Sequence, residues 1–543
     1  MAAPAPNAAV RLSAPAGRRV LGTTVLGSSM ALLDSTVVNV ALPSIGRSFD
    51  AGIAGLQWTV GAYMLTLASL LLLGGALGDR YGRRRVYRVG VIWFTLASAA
   101  CAAAPTLEVL VAARALQGIG GALLTPGALA LIQSTIHPDD RGRAIGAWSG
   151  LSGVAAALGP LVGGWLVESL GWRWIFLVNL PIGAAVTWGA CKIPETLSLQ
   201  QQGRLDAAGG ALAVIGLGAI AYAFIASDAA GLGATWPWLA AGVAALAAFV
   251  AVERRAGRPM LPLSLFASPD FTGANLVTFF AYAALGGTFF FVVLYLQVVA
   301  GYEPLLAGLA LLPISVVMLL LSSWVGGLAG RKGPRRLLTG GCAVAAIGMV
   351  LLGRLGPHPS FLVDVVPAML VVAAGLTFAA VPVTVAVLAA ADPRHAGAAS
   401  GVNNAVARTA GLLAIAVLPA ATGLGGSDYA DALGTSFPRA MRVCAVLLGL
   451  AAVTAWASIR DDRLRAPPEE REPPSSCPLA GPPPGRDPPP LDRRRHVERR
   501  ADAATSGPAG RSKGFSIRRR ARGPAAATAI ASRRRPRGPG PPG

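Results

Sequence analysis

Asp34 stands in the run VLGTTVLGSSMALLDSTVVNVALPSIG, Val20 to Gly46, more than a full helical turn from either end of a largely apolar stretch. Arg114 stands in a second such run, followed by Gln117, Gly121 and Thr125 at helical spacing, so that one polar, small-residue stripe runs along that segment. Desolvation raises the proton affinity of a carboxylate, and a guanidinium beside it lowers that affinity again. Such a pair can load and release a proton as its surroundings change. It can equally be a permanently ionised strut in which the acid only holds the arginine. No other acid lies deep in an apolar run: Glu168, Asp270 and Asp364 stand at run ends, and no histidine is central to one.

The runs that carry these charges read as membrane spans. The 543 residues are 54% hydrophobic and only 13% charged, with mean hydropathy +0.57, where a soluble chain carries about 25% charge. The apolar blocks are about 20 residues long, enough to cross a hydrocarbon core of about 30 Å. Fourteen are expected, near 20–42, 57–77, 86–104, 107–132, 143–167, 173–191, 205–226, 236–252, 271–297, 305–329, 337–355, 362–390, 397–420 and 438–458. Only Pro105 and Thr106 separate the third from the fourth. Lys and Arg give an independent test of that reading. With the N-terminus inside, only Arg47, Arg173, Arg354, Arg439 and Arg442 fall in outer loops, a strong inside bias that losing one span would destroy. No signal-peptide cleavage pattern precedes the first span, so both termini are expected in the cytoplasm of a bacterial cell whose plasma membrane the chain crosses.

Depth arithmetic then relates the two charges. If span 1 runs outward to Leu42, Asp34 lies about 12 Å below the outer edge; span 4 runs inward from Leu107, which puts Arg114 about 10 Å below the same edge. A charge at the bilayer centre costs about 2.5–3.5 kcal/mol on insertion scales, so opposite charges at one level are expected to face the protein interior. Arg408, about 17 Å along span 13 from Gly397, has no partner legible in the sequence.

The net charge of +21 and pI near 11.1 do not point to nucleic acid. Residues 459–543 hold 20 of the 47 basic residues and are rich in proline and arginine without apolar periodicity, which reads as a disordered cytoplasmic tail. Such a tail could adhere to anionic lipid or be a plain solvated extension. Cys101, Cys191, Cys342, Cys444 and Cys477 are scattered and suggest neither a metal site nor a disulfide framework. The GxxxxGK[ST] phosphate loop is missing, which argues against nucleotide hydrolysis as an energy source.

A repeat organises the spans. GGALGDRYGRRR, Gly74 to Arg85 after span 2, is echoed 251 positions on by VGGLAGRKGPRR, Val325 to Arg336 after span 10, with Gly330 where Asp79 stands. That offset divides the chain into a tail (1–19), a six-span half (20–191), two inserted spans (205–252), a second six-span half (271–458) and the basic tail (459–543). Parallel halves around a central site are an alternating-access architecture. Small residues crowd span 5, at Gly146, Gly150, Gly153, Ala157, Gly159, Gly163 and Gly164, with Pro160 among them. Their spacing lets backbones approach closely, as part of a special contact or as ordinary packing. On span 9, Asn275, Phe279, Tyr282, Gly286, Phe290 and Gln297 form an aromatic and amide face that either lines a cavity for amphiphilic molecules or meets lipid.

GALGDRYGRRR resembles the loop signature of the major facilitator superfamily, RALQGIGGALLTPGALAL its fourth-span motif, and GVAAALGPLVGGWL the fifth-span motif of its exporters. LLDSTVVNVALPSI and GWRWIFLVNLPIG resemble the fourteen-span drug:proton antiporters of the EmrB and QacA type. The resemblance covers roughly residues 20 to 458. It implies an all-α polytopic major facilitator fold, two six-helix halves plus two inserted helices, that exports amphiphilic drugs or antibiotics against protons, using the proton gradient and no cofactor. By elimination among the acids, Asp34 with Arg114 is the leading proton carrier; the resemblance implies an inner gate at Gly78, Asp79, Arg80, Gly82 and Arg83, where the two glycines permit a tight turn and the acid pairs with nearby arginines. A hinge-like contact between halves is implied at Gly153, Gly159, Pro160, Gly163 and Gly164. A cavity among spans 1, 4, 9 and 12 is implied, with Gln117, Asn275, Phe279, Tyr282 and Phe290 as lining. No catalytic residue, metal ligand or nucleic-acid partner is expected, and the chain is expected to be monomeric in the bilayer. An exporter of an endogenous metabolite, such as a siderophore or amino acid, would look nearly the same. A nutrient symporter would usually lack the Gly-Pro-x-x-Gly-Gly cluster of span 5.

Overall fold

The computed structural model describes residues 10–196, 206–256, 261–391, 396–425 and 429–461. It is all helical apart from a single bridge between Val10 and Ile136 among those residues. Fourteen helices are long and apolar enough to cross a membrane. They are α1 Pro15–Phe49, α2 Ile53–Tyr81, α3 Arg83–Ala103, α4 Leu107–Thr135, α5 Pro138–Ser169, α6 Trp174–Cys191, α7 Ala207–Ala230, α8 Leu232–Arg255, α9 Pro269–Val298, α10 Pro304–Lys332, α11 Arg335–Leu352, α12 Phe361–Ala389, α13 Ala396–Thr422 and α14 Tyr429–Ser458. The order is that expected from the apolar runs, but most helices extend beyond them, because backbone hydrogen bonding continues past the apolar stretch.

Local chemistry explains the ends. Proline opens α1, α5, α9 and α10, where its missing N–H costs nothing. Thr106 accepts from Val109 N, which starts α4 after the shortest turn, and Ser268 accepts from Phe271 N to start α9. Two spans read as continuous in the sequence are broken. The first part of α6 ends at Leu177 and the first part of α10 at Leu309, each four residues before a proline, Pro181 and Pro313. A proline ring clashes with the carbonyl four residues back, so both breaks fall where that clash would be. In α12 the π turn Phe361–Val365 likewise precedes Pro367.

The core is joined at one end and divided at the other. At the membrane face away from the α2–α3 turn, one apolar cluster runs through α1 to α6 and α9 to α14, with Val37, Ile45, Leu56, Phe290, Phe291, Met349 and Phe437 in it. Towards the α2–α3 turn it gives way to two separate clusters. One holds Met30, Tyr87, Phe94 and Leu131 from the first six helices; the other holds Phe271, Leu338, Val383 and Ala455 from the last six. The joined face also carries hydrogen bonds between the two groups: Gln57 Nε2 donates to Ile415 O (2.8 Å), Gln297 Nε2 to Val40 O (2.9 Å), and Leu305 N to Glu168 Oε2 (3.2 Å). The molecule is therefore shut at one face and cleft at the other. Helices α7 and α8 pack on each other through Gly216 and Gly242, and α7 rests on both α2 and α13 through Leu217, Ile225 and Leu412.

Candidate functional site

Asp34 and Arg114, separated by 80 positions in sequence, meet in the interior: Arg114 Nη1 donates to Asp34 Oδ2 at 2.6 Å, and Asp34 is 1% and Arg114 0% exposed. Gln117, expected as cavity lining, is instead the third member of this cluster and fully buried. It donates through Nε2 to Asp34 Oδ1 (2.8 Å) and to Ser98 Oγ (2.7 Å), while its Oε1 accepts from Arg114 Nη1 (2.5 Å). Arg114 Nε donates to Thr59 O (3.1 Å), and its guanidinium lies 4.4 Å from the ring centre of Tyr63 and 5.7 Å from that of Phe176. Asn179 and Ser98 were not legible as site residues. Asn179 Nδ2 donates to Asp34 Oδ1 (3.2 Å) and to Ser98 Oγ (3.3 Å). The available signal was an amide and a hydroxyl inside otherwise apolar spans, α6 and α3. Side chains from α4 and α6 thus hold one carboxylate of α1, and Ser98 of α3 backs the two amides. Its charge is matched by a guanidinium and its oxygens by amides, the condition under which a buried ion is tolerated.

At the α2–α3 turn, Asp79 Oδ1 pairs with Arg83 Nη2 at 2.8 Å, one helical turn on. Arg80 lies over the Tyr81 ring, 5.4 Å from its centre. Gly82 takes φ +104°, a conformation that favours glycine, and a Cβ there would meet the Glu195 carboxylate at 2.7 Å. Gly78 departs from the expectation of a turn glycine: it is inside α2, where its carbonyl accepts from Gly82 N. The partner that the sequence did not reveal is Glu195, just after α6. Its two carboxylate oxygens accept from Arg84 N (3.0 Å) and Arg85 N (3.1 Å), capping α3 where the helix dipole favours an anion. The repeat reproduces this arrangement with another acid. Asp461, beyond α14, accepts from Arg335 N (3.1 Å) at the start of α11, beside Gly333 at φ +89°.

The residues of the fifth-span motif do not share one role. Gly159 and Gly163 abut Thr36 and Val37 of α1, within the first six helices. Pro160 and Gly164 meet α10: a Cβ on Gly164 would lie 2.6 Å from Leu305 Cα, and the Pro160 carbonyl fills the space beside Gly308. Gly153 has nothing within 4 Å of its Cβ position, and neither do Gly142, Gly146 and Gly150. Eighteen residues make five helical turns, so Gly142 and Gly146 lie on the same stripe as Pro160 and Gly164. That stripe is covered by α10 near the shut face and bare near the cleft face.

The expected cavity face of α9 is likewise divided. Phe290 is fully buried against Phe291 in the joined core, because its half of α9 lies beyond the cleft. Asn275 is buried and accepts from Asn403 Nδ2 (3.3 Å), which also donates to Thr278 Oγ1 (2.7 Å). Phe279 is half-buried and packs edge-on against Phe280. Tyr282 does line a pocket of about 60 Å³, shared with Thr278, Leu285, Met318, Leu376 and Val383. Its walls come from α9, α10 and α12, and neither α1 nor α4 contributes.

The Major Facilitator Superfamily model matches residues 24–416. The chain belongs to this superfamily. As a major facilitator it is a transporter and not an enzyme, and a multi-pass membrane protein. It is 38% identical to the puromycin resistance protein of Streptomyces alboniger over 83% of this chain and 93% of that one. To the multidrug resistance protein Stp of Mycobacterium tuberculosis it is 36% identical, over 73% and 74% of the two chains. The methylenomycin A resistance protein of Bacillus subtilis is 35% identical, over 81% and 94%. Solved major facilitators share the fold at low identity. An inward-facing, unoccupied bacterial homologue of the lysosomal transporter Spinster aligns with TM-score 0.58 and 18% identity, covering 83% of this chain and 98% of that one. A D-xylose-proton symporter aligns at 0.59 and 15%, covering 82% and 99%.

Proposed function

We propose that this major facilitator exports small amphiphilic molecules, antibiotics among them, in exchange for protons. The observation that carries the reading is the fully buried Asp34–Arg114 pair, held by Gln117 and Asn179. Among the described residues it is the one acid deep in the spans, beside a cleft that opens towards a single face. Relatives over most of the chain are resistance proteins for puromycin and methylenomycin A, which supports export over uptake. The division of the core into two clusters supports two six-helix halves that rock about a shut end, with α7 and α8 as an insertion that spans both. The excess of Lys and Arg on the cleft face supports placing that face, and both termini, in the cytoplasm. In this reading Asp79 with Arg80 and Arg83 steadies the cytoplasmic gate, and a single chain in the bilayer is sufficient.

The energetic logic is that of a switch. While the pair is buried, removing the acid's charge would strand a guanidinium, which costs about 3–5 kcal/mol. Purified protein in liposomes tests the reading directly: an imposed proton gradient should drive a fluorescent amphiphile uphill and collapse with an ionophore. Transport that ignores the gradient would sink proton coupling. A second reading, export of a compound the cell itself makes, is supported by 35% identity to the probable actinorhodin transporter of Streptomyces coelicolor. Loss of a secreted product on gene deletion would distinguish it.

A further inference from the structure

Arg408 lies midway along α13 and is half-buried, yet among the described residues it forms no ion pair and no hydrogen bond. It does not face lipid. Gly401, two turns earlier on nearly the same side of the helix, packs on Leu72 of α2, with Leu72 Cδ2 3.2 Å from its Cβ position. Gly411, three residues on, lies between Met64 of α2 and Gly286 of α9, and Asn403, earlier on α13, donates to Thr278, which lines the Tyr282 pocket. It therefore points between the two groups of helices, beside the pocket that Tyr282 lines. One turn back on the same side stands Asn404, also half-buried and also without a hydrogen bond among the described residues. Its neighbour Asn403 is already spent on Asn275 and Thr278.

The charge balance of this region is one-sided. Asp34, the acid deep in the described spans, is neutralised by Arg114 and enclosed by amides, so it offers a cationic molecule entering the cleft no open carboxylate. An anionic molecule would find a guanidinium and an amide with open donors, next to an apolar pocket. A half-buried charge without a partner is costly, and a ligand that supplies the counter-charge recovers that cost as affinity. We propose that Arg408 and Asn404 form an anion-binding subsite for molecules with a carboxylate, or an acidic phenol or enol, attached to an apolar ring system that the Tyr282 pocket receives. That such molecules are also the exported ones rests on the export reading above; that they bind here does not.

Two dyes with one ring system separate the cases: fluorescein, which is anionic, and rhodamine 6G, a cationic ester. Fluorescence anisotropy on the full-length protein in detergent at neutral pH gives the affinity of each for wild type, Arg408→Gln, Arg408→Lys and Asn404→Ala. Wild type should prefer fluorescein. Arg408→Gln should weaken fluorescein by about tenfold or more, the scale of one charge-assisted hydrogen bond, and leave rhodamine 6G nearly unchanged. Arg408→Lys should keep most of the fluorescein affinity, and Asn404→Ala should lose about threefold to tenfold. A wild type that prefers rhodamine 6G, or an Arg408→Gln that shifts both dyes alike, overturns the subsite. If Arg408→Gln does not fold, the decision passes to Asn404→Ala, whose indifference to fluorescein is equally fatal. Selective binding without gradient-driven transport in liposomes would sink the export reading and leave the subsite standing.

Discussion

Arg114 Nη1 lies 2.6 Å from Asp34 Oδ2, and the carboxylate's other oxygen accepts from both Gln117 and Asn179. Such enclosure separates a proton-exchanging acid from a structural one by experiment. Asp34→Asn keeps the shape and removes the titratable group. Stranding Arg114 should lower stability by about 3–5 kcal/mol in either case, so transport is read per folded molecule. If Asp34 is the coupling carboxylate, the folded variant should bind substrate and show no gradient-driven transport in liposomes; if it is only a counter-ion, the folded fraction should keep gradient-driven transport. Normal yield with normal coupling would remove Asp34 from the mechanism.

The amide clamp makes a second, smaller prediction. Asn179→Ala deletes two hydrogen bonds to buried oxygens, so thermal unfolding should move down by an amount equivalent to about 1–3 kcal/mol. Ser98→Ala touches the same network from α3 and should not add fully to it, because both substitutions delete the one hydrogen bond between Asn179 and Ser98. Full additivity in the double variant would mean that the four groups do not act as one cluster.

How much of this was legible follows from range. The spans and their order were readable because apolar runs of bilayer length are a local property. The Asp34–Arg114 encounter was reachable because helix rise converts position into depth. Gln117 was placed on the right stripe but given the wrong neighbour, since a stripe specifies a direction and not what stands opposite. Phe290 failed for a related reason: periodicity put it on the Tyr282 face, whereas the half of α9 it occupies packs into the joined core. Glu195 and Asp461 were invisible because each reaches 110 or more residues back along the chain to cap a helix start, with no shared motif. The breaks at Leu177 and Leu309 could have been read from Pro181 and Pro313.

The two turn signatures should respond differently to substitution. Asp79 is paired with Arg83, whereas Gly330 has nothing within 4 Å of its Cβ position. Asp79→Asn should cut transport several-fold at equal expression, and Gly330→Asp should cost little. An equal loss in both would count against a gate confined to one half.

The caps behind those turns are predicted to be equivalent in energy. Glu195→Gln and Asp461→Asn each keep an acceptor but remove the charge that faces a helix N-terminus, so each should cost about 0.3–1 kcal/mol in unfolding. Glu195→Ala and Asp461→Ala, which leave backbone donors uncapped, should cost about 0.5–2 kcal/mol. Chemical denaturation in detergent reads both pairs, and a negligible effect at either site would show that water replaces the cap freely.

The bare half of the α5 stripe gives the sharpest test of alternating access. Gly164 cannot take a side chain in this state, with Leu305 Cα 2.6 Å and the Pro304 carbonyl 2.7 Å from its Cβ position. Gly146, five turns earlier on the same stripe, meets nothing. Rocking the halves about the shut end must bring α10 down onto Gly146 as it lifts off Gly164. Gly146→Leu should therefore fold normally, keep the cleft open and abolish transport, while Gly164→Leu should pry apart the shut face. Spin labels on Ser149→Cys and Ser323→Cys, both exposed in the cleft halves of α5 and α10, report the separation in a background without the native cysteines. Wild type should show a long and a short distance as substrate is added. Gly146→Leu should show only the long one, and Gly164→Leu should be enriched in the short one. A Gly146→Leu protein that transports at the wild-type rate would mean that α10 never covers this stripe, and that the halves close along some other pair of helices.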